Sequence, residues 1–239
     1  MRIIQAYIKE KAFITDFPMD HVEGAVRQNT KADHLQVLVN AIDQPDRFNL
    51  DEYGFCFLRG RQIHLDPEKA CRDKDSIEQA YWYEIEAILH EEFPQHWRIE
   101  CFDTTRDPDF PEVVRVYREE HEKPSPVVHC DWSSVGSLDV LRWCFPGNEK
   151  FWKERGLTCS STVWRLLKTL TDEWLLALCD YTTVDTENDV LLEDAIERVR
   201  VEEISCLHYN GNHRWYFLKD QGVDDLLVFR NADSHGEKA

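Results

Sequence analysis

The sequence predicts an α+β fold, in which a β-sandwich core carries helices on its outer faces. Two observations support this prediction: residues 76–93 show a long helical pattern, and residues 127–229 contain a series of short β segments separated by turns. The chain has 239 residues, 42% of them hydrophobic, which is typical of one domain with a sizeable core. We therefore expect a single domain over 1–239, with the sandwich core at about 97–234.

In the first half of the chain, apolar runs mark strands at 35–42 and 54–58, joined by a turn-rich stretch. Residues 76–93 form the clearest helix, because apolar side chains recur at helical spacing and Asp75 with Glu78 forms a capping box. Alternating side chains at 97–102 predict a further strand. The helix is expected to cover a sheet.

Six short segments of the second half have the apolar pattern that is typical of sandwich and barrel strands. They lie at 127–129, 161–164, 174–178, 204–209, 214–218 and 226–229. An amphipathic pattern at 187–200 predicts a helix that interrupts the series. The pair Asn210-Gly211 is typical of a tight turn between two of the strands.

The composition excludes several kinds of partner. A formal net charge of -18 repels phosphate backbones and anionic lipids, so we expect neither nucleic acid nor membrane as a partner. No apolar run approaches the roughly 18 residues of a membrane span, and the N-terminus lacks a secretory pattern. The eight cysteines show no Cys-x-x-Cys spacing, which favours free thiols. The sequence thus predicts a soluble, cytoplasmic protein, and it is compatible with a homodimer.

One histidine and aspartate pair is a candidate metal clamp. Side chains two residues apart share one face of a strand, so an imidazole and a carboxylate at this spacing can bind one ion. The chain holds five histidines followed at this spacing by an acid, at 21/23, 64/66, 90/92, 129/131 and 235/237. Only His129 and Asp131 follow an apolar strand and lead into a compact turn at 132–136.

A second histidine from far along the chain would complete a 2-His-1-carboxylate triad, which holds Fe(II) and leaves positions open for other ligands. His208 and His213 lie on either side of the predicted hairpin turn, and both are candidates. We prefer His213, because it begins the strand at 214–218 and an opposing strand could carry it towards His129. The alternative is that His213 packs against Trp215 or hydrogen-bonds the turn.

Five blocks of the sequence together resemble a known family, the gibberellin-desaturase-like and aspergillic-acid-type hydroxylase/desaturases, which are Fe(II)/2-oxoglutarate oxygenases of secondary metabolism. The blocks are 48–55 (FNLDEYGF); 81–86 (YWYEIE) with 102–106 (FDTTR); 128–133 (VHCDWS); 163–165 (VWR) with 176–180 (LALCD); and 209–216 (YNGNHRWY) with 227–234 (LVFRNADS). Each block is weak alone, but together they occur in family order over most of the chain.

The resemblance implies a double-stranded β-helix, or jelly roll, with Fe(II) held by His129, Asp131 and His213. It also implies 2-oxoglutarate and molecular oxygen as co-substrates, and a small-molecule substrate that is hydroxylated, desaturated or cyclised. The distal carboxylate of 2-oxoglutarate needs a cation, and a guanidinium can bind it with two hydrogen bonds. Arg165 and Arg230 are the candidates for this role, and a surface ion pair is the alternative for each.

Two departures from the family pattern favour rival functions. Relatives have Trp-Arg-Pro where this chain has Trp164-Arg165-Leu166, and they continue beyond the 227–234 block into a further histidine. If that histidine were the distal ligand, the site in this sequence would be incomplete. The rival is then a catalytically degenerate jelly-roll protein that binds a small molecule or a partner. A metal hydrolase with the same ligands is a second rival.

Overall fold

A computed structural model of the chain describes residues 2–8, 14–15, 31–66, 74–102, 128–148, 150, 159–166, 175–196 and 201–233. Its strands are β1 (Arg2–Ile8), β2 (Ile14–Thr15), β3 (Lys31–Asn40), β4 (Phe55–Leu58), β5 (His129–Cys130), β6 (Cys159–Arg165), β7 (Leu178–Cys179), β8 (Val190–Ile196), β9 (Val201–Leu207), β10 (Trp215–Phe217) and β11 (Leu226–Asp233). The α-helices are α1 (Leu50–Tyr53), α2 (Lys74–Glu92) and α3 (Ser134–Cys144), with 3₁₀ turns at Pro45–Arg47 and Tyr181–Thr183.

The described strands form three sheets. Sheet 1 has the order β1-β3-β10-β7, sheet 2 has the order β4-β11-β6, and sheet 3 has the order β2-β8-β9-β5. Pairing is antiparallel, except that β10 and β2 run parallel to β3 and β8. Most neighbours in a sheet are far apart in the sequence, so long-range pairing decides which side chains meet.

Alternating side chains give sheet 2 two different faces. On β11, Leu226 and Val228 pack with Ile85 of α2, whereas Leu227 belongs to the cluster that includes Tyr216 of sheet 1. Successive side chains of a strand point to opposite faces. We call these the α2 face and the sheet 1 face of sheet 2.

Strand β10 of sheet 1 is covered on both sides. Trp215 and Phe217 of β10 form a cluster with Val128, and Leu207 at the end of β9 packs against it. Tyr216, which lies between them, points to sheet 2. Sheet 2 therefore lies between α2 and sheet 1. Val128, the residue that precedes β5, packs against the other face of sheet 1, and the segment after β5 contacts sheet 2 through Asp131 and Thr162.

The structure contains most of the predicted elements, and it corrects three. The helix predicted at 187–200 is wrong over the described residues 187–196, because β8 pairs with β9 over its whole length and this pairing outweighs the local amphipathic pattern. Residues 197–200 lie outside the described part of the chain. The strand predicted at 97–102 is also wrong. The N–H of Cys101 donates to the Glu86 carboxylate of α2 at 2.8 Å instead of pairing with a strand. The turn predicted at 132–136 is the start of a helix instead, since Ser133 is the N-cap and α3 begins at Ser134.

Some predictions fall outside the described side chains. The capping box at 75 and 78 is one of them, and residue 127 is another. Of the helices in the described ranges, none is both long enough and apolar enough to cross a membrane.

Candidate metal site

His129 and Asp131 lie side by side where β5 ends. The distance from His129 Nε2 to Asp131 Oδ1 is 3.6 Å, and the two side chains are 35% and 45% exposed. β5 pairs with β9, so that His129 lies opposite Cys206. Asp131 follows the last residue of β5, and the i, i+2 spacing brings an imidazole and a carboxylate close together, as the sequence predicts.

The chain segment after Asp131 is anchored to β9 through the start of α3. The Ser133 N–H donates to the carbonyl oxygen of Glu203 at 2.8 Å, and the Ser133 hydroxyl also bonds the Glu203 carboxylate. The same hydroxyl oxygen accepts from the N–H of Gly136 at 3.0 Å, as an N-cap. These bonds fix the backbone that carries the Asp131 carboxylate.

Two side chains of sheet 2 reach the other side of Asp131. The Thr162 hydroxyl of β6 donates to Asp131 Oδ2 at 3.3 Å, and Asn231 Nδ2 of β11 donates to Thr162 Oγ1 at 2.7 Å. Burial raises the pKa of Asp131, but hydrogen bonds from His129, Thr162 and Asn231 and the charge of His129 outweigh burial. The pKa therefore lies below its usual value. The carboxylate is ionised at neutral pH, as a metal ligand must be.

His213, the predicted third ligand, has another partner. Its Nε2 lies 3.0 Å from Asp189 Oδ2, and its side chain is fully buried. Both aspartates can be placed along β9. The Asp189 carbonyl accepts from the N–H of His208, just beyond the end of β9. Asp131 follows Cys130, which lies opposite Ser205. The backbones of Asp189 and Asp131 are thus about four residues apart along the direction of β9, or roughly 13 Å. The structure does not bring His213 to the His129 and Asp131 pair.

The pair fits a divalent metal ion in part. Imidazole and carboxylate are both ligands that Fe(II) accepts, and both side chains are half open. Among the residues that the structure describes, however, no three His, Cys, Asp or Glu side chains lie close enough together to hold a metal ion. The structure therefore brings together two of the three residues of the predicted triad, and metal binding by the triad stays a prediction.

Arg165 and Arg230 lie on the opposite face of sheet 2 from the partners of Asp131. Val163 packs in the α2 cluster, so Arg165 shares its face, and the Arg165 guanidinium lies 5.7 Å from the centre of the Tyr81 ring of α2. Arg230 donates to Asp51 of α1 at 3.0 Å. Nε and Nη1 of Arg165 and Nε of Arg230 are buried and have no hydrogen-bond partner among the described residues. Their role in binding the co-substrate carboxylate stays a prediction.

Sequence reasoning missed the residues that hold the pair in place. Thr162 and Asn231 are separated by 69 positions, and no local pattern links them. Ser133 could have been found, because a serine before an apolar helical pattern is a known start signal. Long-range contacts of this kind become visible only when the strand pairing is known.

A family model described as YDMC, Oxidoreductase/YMDC permease-like domain, matches residues 6–239. The chain is similar to the gibberellin cluster GA4 desaturase of Gibberella fujikuroi, with 26% identity over 142 residues, which are 50% of this chain and 41% of that protein. It is also similar to the Fe(II)/2-oxoglutarate-dependent dioxygenase nvfI of Aspergillus novofumigatus, with 23% identity over 203 residues, 82% of this chain and 68% of that protein. The chain thus spans less than half of the first relative.

A solved structure of the iron and alpha-ketoglutarate-dependent endoperoxidase NvfI superimposes on 98% of this chain and 84% of its own, with a TM-score of 0.80 and 20% identity. This likeness establishes the fold, and the predicted double-stranded β-helix is confirmed. The family resemblance inferred from the five sequence blocks is confirmed by the relatives.

Proposed function

Because the chain belongs to the YDMC family, described as an oxidoreductase/YMDC permease-like domain, we propose that it is a non-haem Fe(II)/2-oxoglutarate-dependent oxygenase. It acts as a single domain on a small molecule of secondary metabolism, by hydroxylation, desaturation or oxidative cyclisation. The relatives named as a GA4 desaturase and as a Fe(II)/2-oxoglutarate-dependent dioxygenase support the reaction class. The observation that carries the proposal is the pair of His129 and Asp131, 3.6 Å apart.

In this proposal, His129 and Asp131 bind the metal through Nε2 and Oδ1. Fe(II) held there would supply the redox centre at which molecular oxygen and 2-oxoglutarate react. The third ligand is proposed to be His213. To serve in that role, its Nε2 would have to exchange Asp189 for the metal, so this part of the proposal needs its own test.

Aromatic side chains near the pair are suited to an apolar substrate. Trp132 follows Asp131 directly, and its ring lies 5.8 Å from that of Phe102. Trp164 lies two residues after Thr162 on β6 and is 44% exposed, so it provides an open apolar surface on the face that holds Asp131 in place. We propose that these rings contact the substrate and limit the access of water to the pair.

Optical spectroscopy of the anaerobic protein with Fe(II) and 2-oxoglutarate tests the proposal. An oxygenase of this class gives a weak visible charge-transfer band, and under air it converts 2-oxoglutarate to succinate. His129→Ala and Asp131→Ala should each abolish the band, while His208→Ala, the matched control, should retain it. His213→Ala should abolish it only if His213 is the third ligand.

The rival is a catalytically degenerate jelly-roll protein that binds a small molecule or a partner. The lack of a third donor beside His129 and Asp131 among the described side chains is the observation that favours it. Absence of both the band and succinate in the wild-type protein would decide for this rival. Retention of both in His213→Ala would leave the proposed activity in place and remove only His213 from it.

We further propose that the protein is cytoplasmic, with neither nucleic acid nor membrane as a partner, and that it can form a homodimer. The net charge of -18 disfavours anionic surfaces. The cysteines whose side chains are described are free thiols, as is usual in reducing compartments. Light scattering after size-exclusion chromatography measures the oligomeric state, and a monomer at all concentrations would contradict the dimer.

A further inference from the structure

A chain of two hydrogen bonds links the interior of sheet 2 to the Asp131 carboxylate. It begins at Asn231, which is fully buried, passes through the Thr162 hydroxyl at 2.7 Å and ends at Asp131 Oδ2 at 3.3 Å. The three residues come from β11, β6 and the segment after β5. Their meeting depends on the packing of sheet 3 against the edge of sheet 2.

The chemistry of these groups fixes the direction of the chain. An ionised carboxylate can only accept hydrogen bonds, so Thr162 must donate its single hydroxyl proton to Asp131. The oxygen of that hydroxyl is then free to accept, and it must receive a proton from the Asn231 amide. Asn231 therefore has its Nδ2 group turned towards Thr162, where it keeps the hydroxyl proton on Asp131. A hydrogen bond from Asn231 also helps to lower the pKa of Asp131.

The burial of Asn231 supports a functional reason for its presence. Its Oδ1 has no hydrogen-bond partner among the described residues, and neither has the hydroxyl of Ser160, which is also buried. A buried acceptor without a donor costs stability. An apolar residue would avoid that cost at position 231, so the asparagine is better explained by what its donor does to Thr162.

We propose that Thr162 and Asn231 are positioning residues that hold Oδ2 of Asp131 and thereby present Oδ1, next to His129 Nε2, to the metal. This inference rests on the proposed function, because it assumes a metal at the pair. It assigns the two residues a role in metal affinity through Asp131, without contact to the metal. Residues that orient metal ligands in this way typically contribute about 10-fold to 100-fold to metal affinity.

Titration of the apoprotein with Mn(II), followed by electron paramagnetic resonance of the free ion, tests the proposal without any need for activity. Thr162→Val, which keeps the shape and removes the hydroxyl, should weaken Mn(II) binding by about 10-fold or more. Thr162→Ser keeps a hydroxyl that can donate to Asp131. Its Mn(II) affinity should be within about threefold of wild type, because the loss of affinity comes from the loss of this hydrogen bond. Ser160→Ala is the matched control, since its hydroxyl has no described partner, and it should bind like wild type.

Asn231→Asp replaces the amide donor at the start of the hydrogen-bond chain by a carboxylate, which accepts hydrogen bonds. A carboxylate at 231 accepts the Thr162 proton and draws it away from Asp131, so Mn(II) affinity should fall about as far as in Thr162→Val. Each variant is compared at a temperature at which circular dichroism shows it folded. Should Thr162→Val not fold, the contrast between Asn231→Asp and the Ser160→Ala control decides.

The failure of this inference differs from the failure of the proposed function. If wild type binds Mn(II) and Asp131→Ala does not, while Thr162→Val and Asn231→Asp both bind like wild type, the positioning role is wrong and the metal site remains. If wild type itself binds no Mn(II), both the metal site and the positioning role are wrong. If Thr162→Val weakens Mn(II) binding and Thr162→Ser binds no better than Thr162→Val, the hydroxyl does not have the proposed role.

Discussion

Replacing Gly136 by alanine is expected to destabilise the protein and to disturb the metal site. Gly136 lies in the first turn of α3, where the helix touches β9. A Cβ atom added there would lie 2.2 Å from the carbonyl oxygen of Glu203 and 3.2 Å from its carbonyl carbon. Backbone atoms cannot approach a Cβ that closely, so the helix start and β9 must move apart.

The expected loss follows from three contributions. Forcing apart a close-packed contact costs about 1–3 kcal/mol. Weakening the bond from the Ser133 N–H to the Glu203 oxygen, 2.8 Å in length, costs about 1 kcal/mol more. Alanine is the better helix former and returns about 1 kcal/mol. The free energy of unfolding should therefore fall by about 1–3 kcal/mol.

Urea unfolding followed by circular dichroism measures this loss, and Gly211→Ala is the matched control. A Cβ at Gly211 has the Tyr209 hydroxyl at 3.7 Å as its nearest atom, an ordinary contact, so that variant should remain within about 0.5 kcal/mol of wild type. Mn(II) affinity should fall in Gly136→Ala but not in Gly211→Ala. A shift of the start of α3 moves Ser133, and with it Asp131, which lies two residues earlier in the chain. A Gly136→Ala protein as stable as Gly211→Ala would refute the close approach of α3 to β9.

The remaining predictions concern the arginines, acid stability and the thiols. Arg165→Met or Arg230→Met should weaken 2-oxoglutarate binding by about tenfold or more in a calorimetric titration, because a guanidinium can bind the distal carboxylate with two hydrogen bonds. Unchanged affinity in both variants would contradict this role. Burial raises the pKa of Asp189, but hydrogen bonds from neighbouring amide groups and from His213 outweigh burial and lower it. The stability that Asp189 contributes is thus present above about pH 3.9 and is lost as the pH falls below it. Asp189→Asn should flatten this acid limb in urea titrations. Burial raises the pKa of Cys206 to about 12, so stability should fall as the pH rises above about 8.5, where the unfolded thiol ionises. Cys206 should not react with Ellman's reagent at neutral pH unless the protein unfolds.

The elements predicted correctly from the sequence have strong local signals. β4 and β11 are apolar runs bounded by turn residues, and α2 shows a clear helical period in its apolar side chains. The error at 187–200 arose because the leucine and valine residues of β8 can also form one stripe of a helix. Pairing with β9, which is a long-range event, decided between the two.

The sequence by itself determined that His129 and Asp131 lie close together, because a spacing of two residues is local. It also determined the net negative charge and the order of the five sequence blocks that resemble the family. Only the tertiary structure decided that Thr162 and Asn231 reach Asp131, that Asp189 holds His213, and that both arginines lie on the far face of sheet 2. Dihedral preferences and side-chain period act over a few residues, whereas the meeting of groups 69 positions apart depends on sheet order and register, which the packing of the whole core selects.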